Sequence, residues 1–238
     1  MYELLSNEAP KSIRRAIMVQ RWTDLVFVHW RYPAESIQRL LPEGLKVDKY
    51  DGDAWVGLIP FQMEDLGFPL LHPLPYVGSF PEVNVRTYVR YRKYSGVYFF
   101  SLDINKVLPT ITARTIYKIP YCYGKVNHTQ VGNFVTTKVS RKWPNRDLTS
   151  KIVVEKKEKI DGDLERFLTA RWGLITQMPR KSFLWAPVHH PPWELQKAKL
   201  LYLEDELVTA AGLPEPMGEP HVMYSAGVPV RIGLPKKI

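Results

Sequence analysis

Short β-rich segments separated by turn signals occupy most of the chain, and this pattern limits the fold more than any other sequence feature. Residues 82–92 and 97–103 form the clearest strand pair, joined across Ser95-Gly96. A second pair flanks Gly132-Asn133, a favoured two-residue hairpin turn. Many short strands at close spacing, with few helical patterns among them, predict a mostly β (α+β) chain arranged as an antiparallel barrel or sandwich.

The length of the chain, 238 residues, suits one domain of the larger all-β kind. We therefore expect a single domain over residues 1–238. Short helices are predicted at residues 34–41 and 163–172 from the spacing of their apolar side chains. Residues 68–81 contain four prolines, which predicts an ordered loop or lid instead of a strand.

The composition restricts the compartment and the partners. Cys122 is the single cysteine, so no disulfide forms within the chain and a reducing compartment is expected. Residues 1–20 lack the apolar core of a signal peptide, and charges or prolines interrupt every later apolar run. We therefore expect a cytoplasmic protein with no membrane partner.

The formal net charge is +9, yet lysines and arginines occur from end to end and are mixed with acidic residues. The chain contains no helix-turn-helix or zinc-finger spacing, so we expect no nucleic-acid partner. The six histidines lack metal-site spacing, and the sequence contains neither a glycine-rich phosphate loop nor a Gly-x-Ser-x-Gly elbow. We expect no metal and no cofactor.

Candidate site residues alternate along residues 82–89. Side chains on a strand point to opposite faces in turn, so Glu82, Asn84, Arg86 and Tyr88 share one face, while three valines and a threonine form the other. Such a row either faces solvent or lines a pocket. We favour a pocket wall, because the row is chemically mixed, and because Glu82 beside Arg86 can orient a bound carboxylate or carbonyl.

A second group of candidates surrounds Arg114 and Tyr121. The β-branched composition of residues 110–116 favours a strand. Asn105 is equally suited to cap a helix that starts at Lys106. The residues alone leave both alternatives open.

Several long motifs, in order along nearly the whole chain, resemble a family of uncharacterised bacterial proteins, the YqjF-like proteins. The matching segments are residues 20–25, 29–30, 41–45, 51–52, 54–57, 84–89, 101–103 and 224–233. This family is similar to the acetoacetate decarboxylase-like superfamily. The resemblance implies a curved, barrel-like antiparallel sheet around an internal cavity, with a few short helices. It also implies a helix over residues 106–117 that delivers Pro120 and Tyr121 into the cavity.

The resemblance also separates this chain from the decarboxylases. Those enzymes use a lysine that forms a Schiff base, and a neighbouring cation activates it. Arg114 and Pro120 match their motif, and Glu82 matches their acidic residue, but Tyr121 and Cys122 stand where the two lysines would be. A Schiff-base mechanism is therefore not expected.

The first functional hypothesis is an enzyme that binds a small carbonyl or carboxylate compound. Glu82 would be the general base and Tyr121 a proton or hydrogen-bond donor, which suits lyase-like or isomerase-like chemistry. Arg114, Arg86, Asn84 and Tyr88 would bind the ligand. The alternatives are a non-catalytic metabolite-binding protein or a structural, homo-oligomeric protein on the same scaffold. A separate interpretation of Glu82, Arg86 and Arg114 is a buried ion-pair network that fixes the strand register, since such networks resemble active sites.

Overall fold

The computed structural model describes residues 13, 15–112, 114–115 and 118–238. The strands are β1 (Ala16–Tyr32), β2 (Lys46–Val47), β3 (Ala54–Gly67), β4 (Phe80–Tyr91), β5 (Tyr94–Ile104), β6 (Tyr121–Val131), β7 (Phe134–Trp143), β8 (Thr149–Lys159), β9 (Gly173–Met178), β10 (Ser182–His189), β11 (Gln196–Asp205), β12 (His221–Gly233) and β13 (Lys236–Lys237). The helices are α1 (Ala34–Gln38), α2 (Val107–Thr112), α3 (Asp163–Thr169) and α4 (Leu207–Ala210). None of the helices in these ranges is long and apolar enough to cross a bilayer.

Nine strands close into a barrel in the order β5-β6-β7-β8-β11-β12-β1-β3-β4, which confirms the predicted barrel. A second ring shares the wall β12-β1-β3-β4-β5 with the barrel and is completed by β9 and β10. It closes through the pair Val97 and Leu174 between β5 and β9, and through Val188 and Ile232 between β10 and β12. The shared wall therefore has the barrel on one side and the second ring on the other.

Alternation of side chains along the shared wall gives each ring its own interior. Val28, Leu58 and Val85 face the barrel and pack with valines and isoleucines of β6, β7 and β8. Their neighbours Phe27 and Ile59 face the second ring. The barrel interior is packed mostly with apolar side chains and also holds buried polar groups such as Asp103 and Arg141, whereas the second ring carries the cavity described below.

The predicted hairpins are present, with one correction. Gly132-Asn133 forms the turn between β6 and β7, because Val131 pairs with Phe134. The turn between β4 and β5 lies instead at Arg92-Lys93, since Tyr91 pairs with Tyr94. Gly96 is needed for another reason, because a Cβ there would collide with the carbonyl of Gly173 where β5 meets β9.

Of the two alternatives for residues 106–117, the structure agrees with the helix over the residues that it describes. α2 spans Val107–Thr112, and the Thr115 hydroxyl donates a hydrogen bond to the Ile111 carbonyl one turn back. Residues 113, 116 and 117 lie outside the described residues. The proline-rich segment is a loop up to residue 79, and β4 begins at Phe80.

Candidate functional site

A cavity of about 240 Å³ lies inside the second ring. Its wall is mostly apolar, with a small number of polar groups, which is the usual composition of a small-molecule site. The polar members include Glu82, Asn84, Arg86, Tyr121, Arg171 and His190.

β4 places Glu82, Asn84 and Arg86 along one wall of the cavity. The valines between them face the barrel core, which is why the polar row faces inward to the second ring and not to solvent. Tyr88 is next on the same face but is fully buried behind Arg86, where its hydroxyl lies 2.6 Å from His29 Nε2. The structure thus brings three of the four row residues to the cavity.

Tyr121 reaches Glu82 from β6, which lies on the other side of β5 from β4. The Tyr121 hydroxyl donates a hydrogen bond of 3.0 Å to Glu82 Oε2. β6 starts at Tyr121 and runs parallel to β5, with Tyr121 opposite Leu102 and Cys122 opposite Asp103. Because neighbouring side chains alternate, Tyr121 lines the cavity while Cys122 is buried outside it.

Burial controls the protonation of this pair. Desolvation raises the pKa of Glu82 to about 7, although hydrogen bonds from Tyr121 and Asn84 favour the carboxylate. Burial and the adjacent negative charge raise the pKa of Tyr121 well above its usual range. Near neutral pH, Glu82 therefore exchanges its proton readily, while Tyr121 remains a phenol.

Arg114 does not line the cavity among the residues that the structure describes. Its Nη1 donates a hydrogen bond of 2.7 Å to the Tyr121 carbonyl, and its guanidinium lies 4.6 Å from the Trp143 ring centroid. These contacts fix the backbone that carries Tyr121. The direct ligand contact predicted for Arg114 stays a prediction.

Arg171 is a cavity residue that sequence reasoning missed. It follows α3 and is 5 % exposed. Its Nη1 pairs with Asp48 Oδ2 at 2.6 Å, and its Nε donates to the Phe167 carbonyl. No local pattern marks Arg171, because the wall it belongs to is formed by distant segments.

Arg86 and Arg171 form a cationic end of the cavity. Their guanidinium carbons lie 5.6 and 4.5 Å from the ring centroid of Tyr88. Within the described residues, the hydrogen bonds of the Arg86 side chain are long, 3.4 Å to the Tyr88 hydroxyl and 3.5 Å to the Leu168 carbonyl. This end therefore holds more positive charge than its protein partners neutralise.

His190 is a second residue that the sequence did not assign to the site. Its ring packs 4.6 and 4.8 Å from the ring centroids of Trp172 and Trp193, and its Nδ1 donates to the Pro191 carbonyl. Burial lowers the pKa of His190 to about 4. The imidazole is therefore neutral near pH 7.

Four cavity-lining residues carry a buried polar atom that has no hydrogen-bond partner within the described part of the chain. These atoms are Trp22 Nε1, Asn84 Oδ1, Arg86 Nε and Arg171 Nη2. Buried polar atoms are paired in most native proteins, and leaving one unpaired costs about 1–3 kcal/mol. Three donors and one acceptor among the lining residues suit a ligand that carries oxygen atoms.

The described lining contains no lysine. Lys118 and Lys125, the nearest lysines in sequence to Tyr121, are both exposed. In the described residues, no group of three or more His, Cys, Asp or Glu side chains is arranged to hold a metal ion. The chemistry available on this wall is that of a carboxyl, a phenol, two guanidiniums and an imidazole.

Barrel, second ring and cavity together define an acetoacetate decarboxylase-like fold. An acetoacetate decarboxylase from Legionella pneumophila superposes with a TM-score of 0.66 at 10% identity, over 96% of this chain and 89% of that chain. The enduracididine biosynthesis enzyme MppR complexed with pyruvate gives a TM-score of 0.66 at 13% identity, over 96% and 92%. At these identities the likeness shows the fold.

The chain belongs to the DUF2071 family, described as an uncharacterized conserved protein, whose profile matches residues 19–229. It is 32% identical over 217 residues to the uncharacterized protein YqjF of Bacillus subtilis (strain 168), covering 88% of this chain and 87% of that protein. The family predicted from the sequence motifs is therefore confirmed.

Proposed function

We propose that the chain binds a small carboxylate or carbonyl compound in the second-ring cavity and transforms it by acid–base chemistry, such as enolisation, hydration or dehydration. One observation carries this proposal. Glu82 and Tyr121 lie 3.0 Å apart on the cavity wall, and the pKa of Glu82 is raised to about 7. A general base is most effective when its pKa is close to the working pH.

Each residue of the proposed site has a distinct part. Glu82 removes a proton from carbon or water, and the Tyr121 phenol donates a hydrogen bond to the oxygen that becomes negative. Arg86 and Asn84 bind the polar groups of the ligand. Arg114 acts through the Tyr121 backbone, and Tyr88 supports Arg86 from behind.

Acid–base chemistry is proposed in place of Schiff-base chemistry because the described lining contains no lysine. The phenol of Tyr121 cannot form an iminium with a carbonyl group. The single, buried cysteine supports a reducing compartment, so we propose that the reaction takes place in the cytoplasm.

The test is deuterium incorporation from D₂O into the carbon next to a carbonyl, followed by proton NMR. Keto acids, hydroxy acids, aldehydes and lactones are first screened for binding by thermal shift, and each compound that binds is then followed for exchange and conversion. Exchange in Glu82→Gln should fall by about 10²–10⁴-fold, while binding stays within a few-fold, since only the base is lost.

Glu64→Gln is the matched control, because Glu64 lies on β3 outside the described cavity lining and should exchange at the wild-type rate. Unchanged exchange in Glu82→Gln would remove Glu82 from the mechanism. Tight binding without exchange or conversion would instead establish a non-catalytic metabolite-binding protein.

A further inference from the structure

The cavity joins its cationic end to a large apolar wall. Most of the lining side chains are apolar, and five of these residues carry aromatic rings: Trp22, Phe61, Phe80, Phe99 and Trp193. A closed apolar cavity of about 150 Å³ stays dry and takes up molecules such as benzene. We therefore expect a ligand of this larger cavity to have an apolar body.

Two tryptophans form the centre of the aromatic part of the wall. The ring of Trp22 stacks on that of Trp193, with centroids 6.2 Å apart and planes 12° apart, and lies edge-on to Phe61 at 5.8 Å. Both tryptophans line the cavity and are only partly buried. Their rings therefore present apolar surface that a ligand can cover, and covering it favours binding.

The aromatic part adjoins the cationic end through Phe27. The Trp193 ring lies edge-on to the Phe27 ring at 5.5 Å, and the Arg86 guanidinium carbon lies 5.8 Å from the Phe27 centroid. Arg86 and Trp193 both line the cavity. A ligand whose head group binds Arg86 can therefore place its body against Trp193.

The cationic end has donors and positive charge to offer a ligand. Arg86 Nε and Arg171 Nη2 have no hydrogen-bond partner in the described part of the chain. Asp48 pairs with Arg171 at 2.6 Å but is shared with Arg90 at 2.7 Å. Arg86 forms no ion pair with a carboxylate of the described residues. A buried cation is costly unless an anion neutralises it.

Glu82 is a poor counterion for Arg86. Its carboxyl accepts hydrogen bonds from Tyr121 and Asn84, and Arg86 lowers the pKa of Glu82 less than either of these bonds does. With a pKa of about 7, Glu82 is also partly protonated near neutral pH. The cationic end therefore favours an anionic ligand over a neutral one.

We infer that the ligand is an amphipathic carboxylate, whose charge is bound at Arg86 and Arg171 and whose hydrocarbon or aryl body lies against Trp22 and Trp193. This inference rests on the proposed function and narrows it. Neutral carbonyl compounds lack the charge, and a three-carbon acid leaves much of the apolar wall uncovered.

Calorimetry with three 2-oxo compounds tests the inference on the wild-type protein. Pyruvate and 2-oxohexanoate share the same polar groups and charge and differ by three methylene groups. 2-Oxohexanamide keeps the body and the carbonyl of 2-oxohexanoate but has no charge. 2-Oxohexanoate should bind at least about tenfold more tightly than pyruvate, since each buried CH₂ contributes up to about fourfold. It should also bind at least about tenfold more tightly than the amide.

Variants then assign the two parts of the ligand. Arg86→Gln and Arg171→Gln should each weaken 2-oxohexanoate by about tenfold or more and leave the amide within a few-fold. Trp22→Ala should weaken 2-oxohexanoate and leave pyruvate unchanged, because only the longer body covers the indole. Arg31→Gln is the matched control, because Arg31 pairs with Asp53 in an exposed position outside the described lining.

The outcomes separate the inference from the proposed function. The inference is overturned when pyruvate or the amide binds as tightly as 2-oxohexanoate, when none of the three binds, or when Arg86→Gln weakens acid and amide equally. The proposed function still stands in these cases when the wider screen yields a ligand whose exchange depends on Glu82. The three-compound comparison uses no variant, so a misfolded Arg171→Gln or Trp22→Ala protein does not affect it.

Discussion

Glu82 is a buried carboxyl group that lines the second-ring cavity. The residue is 3 % exposed, and its hydrogen bonds from Tyr121 and Asn84 do not offset the loss of water around its carboxyl group. The group is therefore protonated over part of the pH range in which an exposed glutamate is charged. The folded state binds this proton more tightly than the unfolded chain does.

Stability should consequently depend on pH through Glu82. Its pKa is about 7 in the folded state against an ordinary value of 4.5. The stabilisation is therefore complete below the ordinary pKa and is lost as the pH rises through about 7. We compare the free energy of unfolding of Glu82→Gln with that of wild type at each pH. The variant minus wild-type difference should be about 3 kcal/mol more positive at about pH 8 than at about pH 4.

Urea unfolding of both proteins at the two pH values measures this difference. His190 titrates in the opposite direction, since its folded pKa is about 4 and its stabilisation is lost as the pH falls. It is present in both proteins, so its effect cancels in the comparison. An equal stability difference at both pH values would show that Glu82 has an ordinary pKa.

The candidate site divides into residues that the sequence predicts and residues that it does not. Glu82, Asn84 and Arg86 follow a two-residue period on one strand, so their common face could be predicted from spacing alone. Arg171 and His190 reach the cavity through pairings between distant segments, and no local pattern encodes such contacts.

At the scale of the elements, a buried ion pair joins β5 to β7. Asp103 and Arg141 form two hydrogen bonds of 2.7 and 2.6 Å, with side chains 0 % and 2 % exposed. Asp103 is also the register partner of Cys122, next to Tyr121. The pair therefore lies directly behind the point where β6 delivers Tyr121 to the cavity.

Breaking this pair should destabilise the fold strongly. Asp103→Asn leaves an uncompensated buried guanidinium, and the free energy of unfolding should fall by about 3–5 kcal/mol. The double variant Asp103→Leu/Arg141→Met should recover most of that loss, because it removes both charges. Denaturant unfolding measures both effects.

The exposed pair of Arg31 and Asp53 is the control for this prediction. Asp53→Asn should change stability by less than about 1 kcal/mol, because solvent screens the pair. A small effect of Asp103→Asn, similar to that of Asp53→Asn, would mean that the buried pair does not hold β5 and β7 together.

Element boundaries show why local signals mislead in a barrel. Ser95-Gly96 has the composition of a hairpin turn, yet the chain turns at Arg92-Lys93. The glycine is required by the close approach of β9, which arrives from a segment far along the sequence. The turn at Gly132-Asn133 has no such competing contact and was predicted correctly.

At the scale of the whole molecule, two rings share one wall, and the candidate site lies in the cavity of the second ring. Alternating patterns and family motifs predict a barrel with an internal cavity. They do not predict on which side of the shared wall the cavity lies. The second ring closes through a few pairs between distant segments, such as Val97 with Leu174, and no local pattern predicts these pairs. Packing of β6, β7 and β8 fills the barrel side.

Leu58 and Ile59 are neighbours on β3 that face opposite sides of this wall, and they test the division directly. Leu58 is fully buried in the barrel core, so Leu58→Ala should lower the free energy of unfolding by about 2–5 kcal/mol. Ile59 borders the existing cavity, so Ile59→Ala should cost clearly less, because its side chain loses fewer packed neighbours. Calorimetry with a compound that binds in the thermal-shift screen should show weaker binding to Ile59→Ala and wild-type binding to Leu58→Ala. Equal losses of stability in the two variants would mean that the second ring is packed like the barrel, and the assignment of the site to that ring would then be wrong.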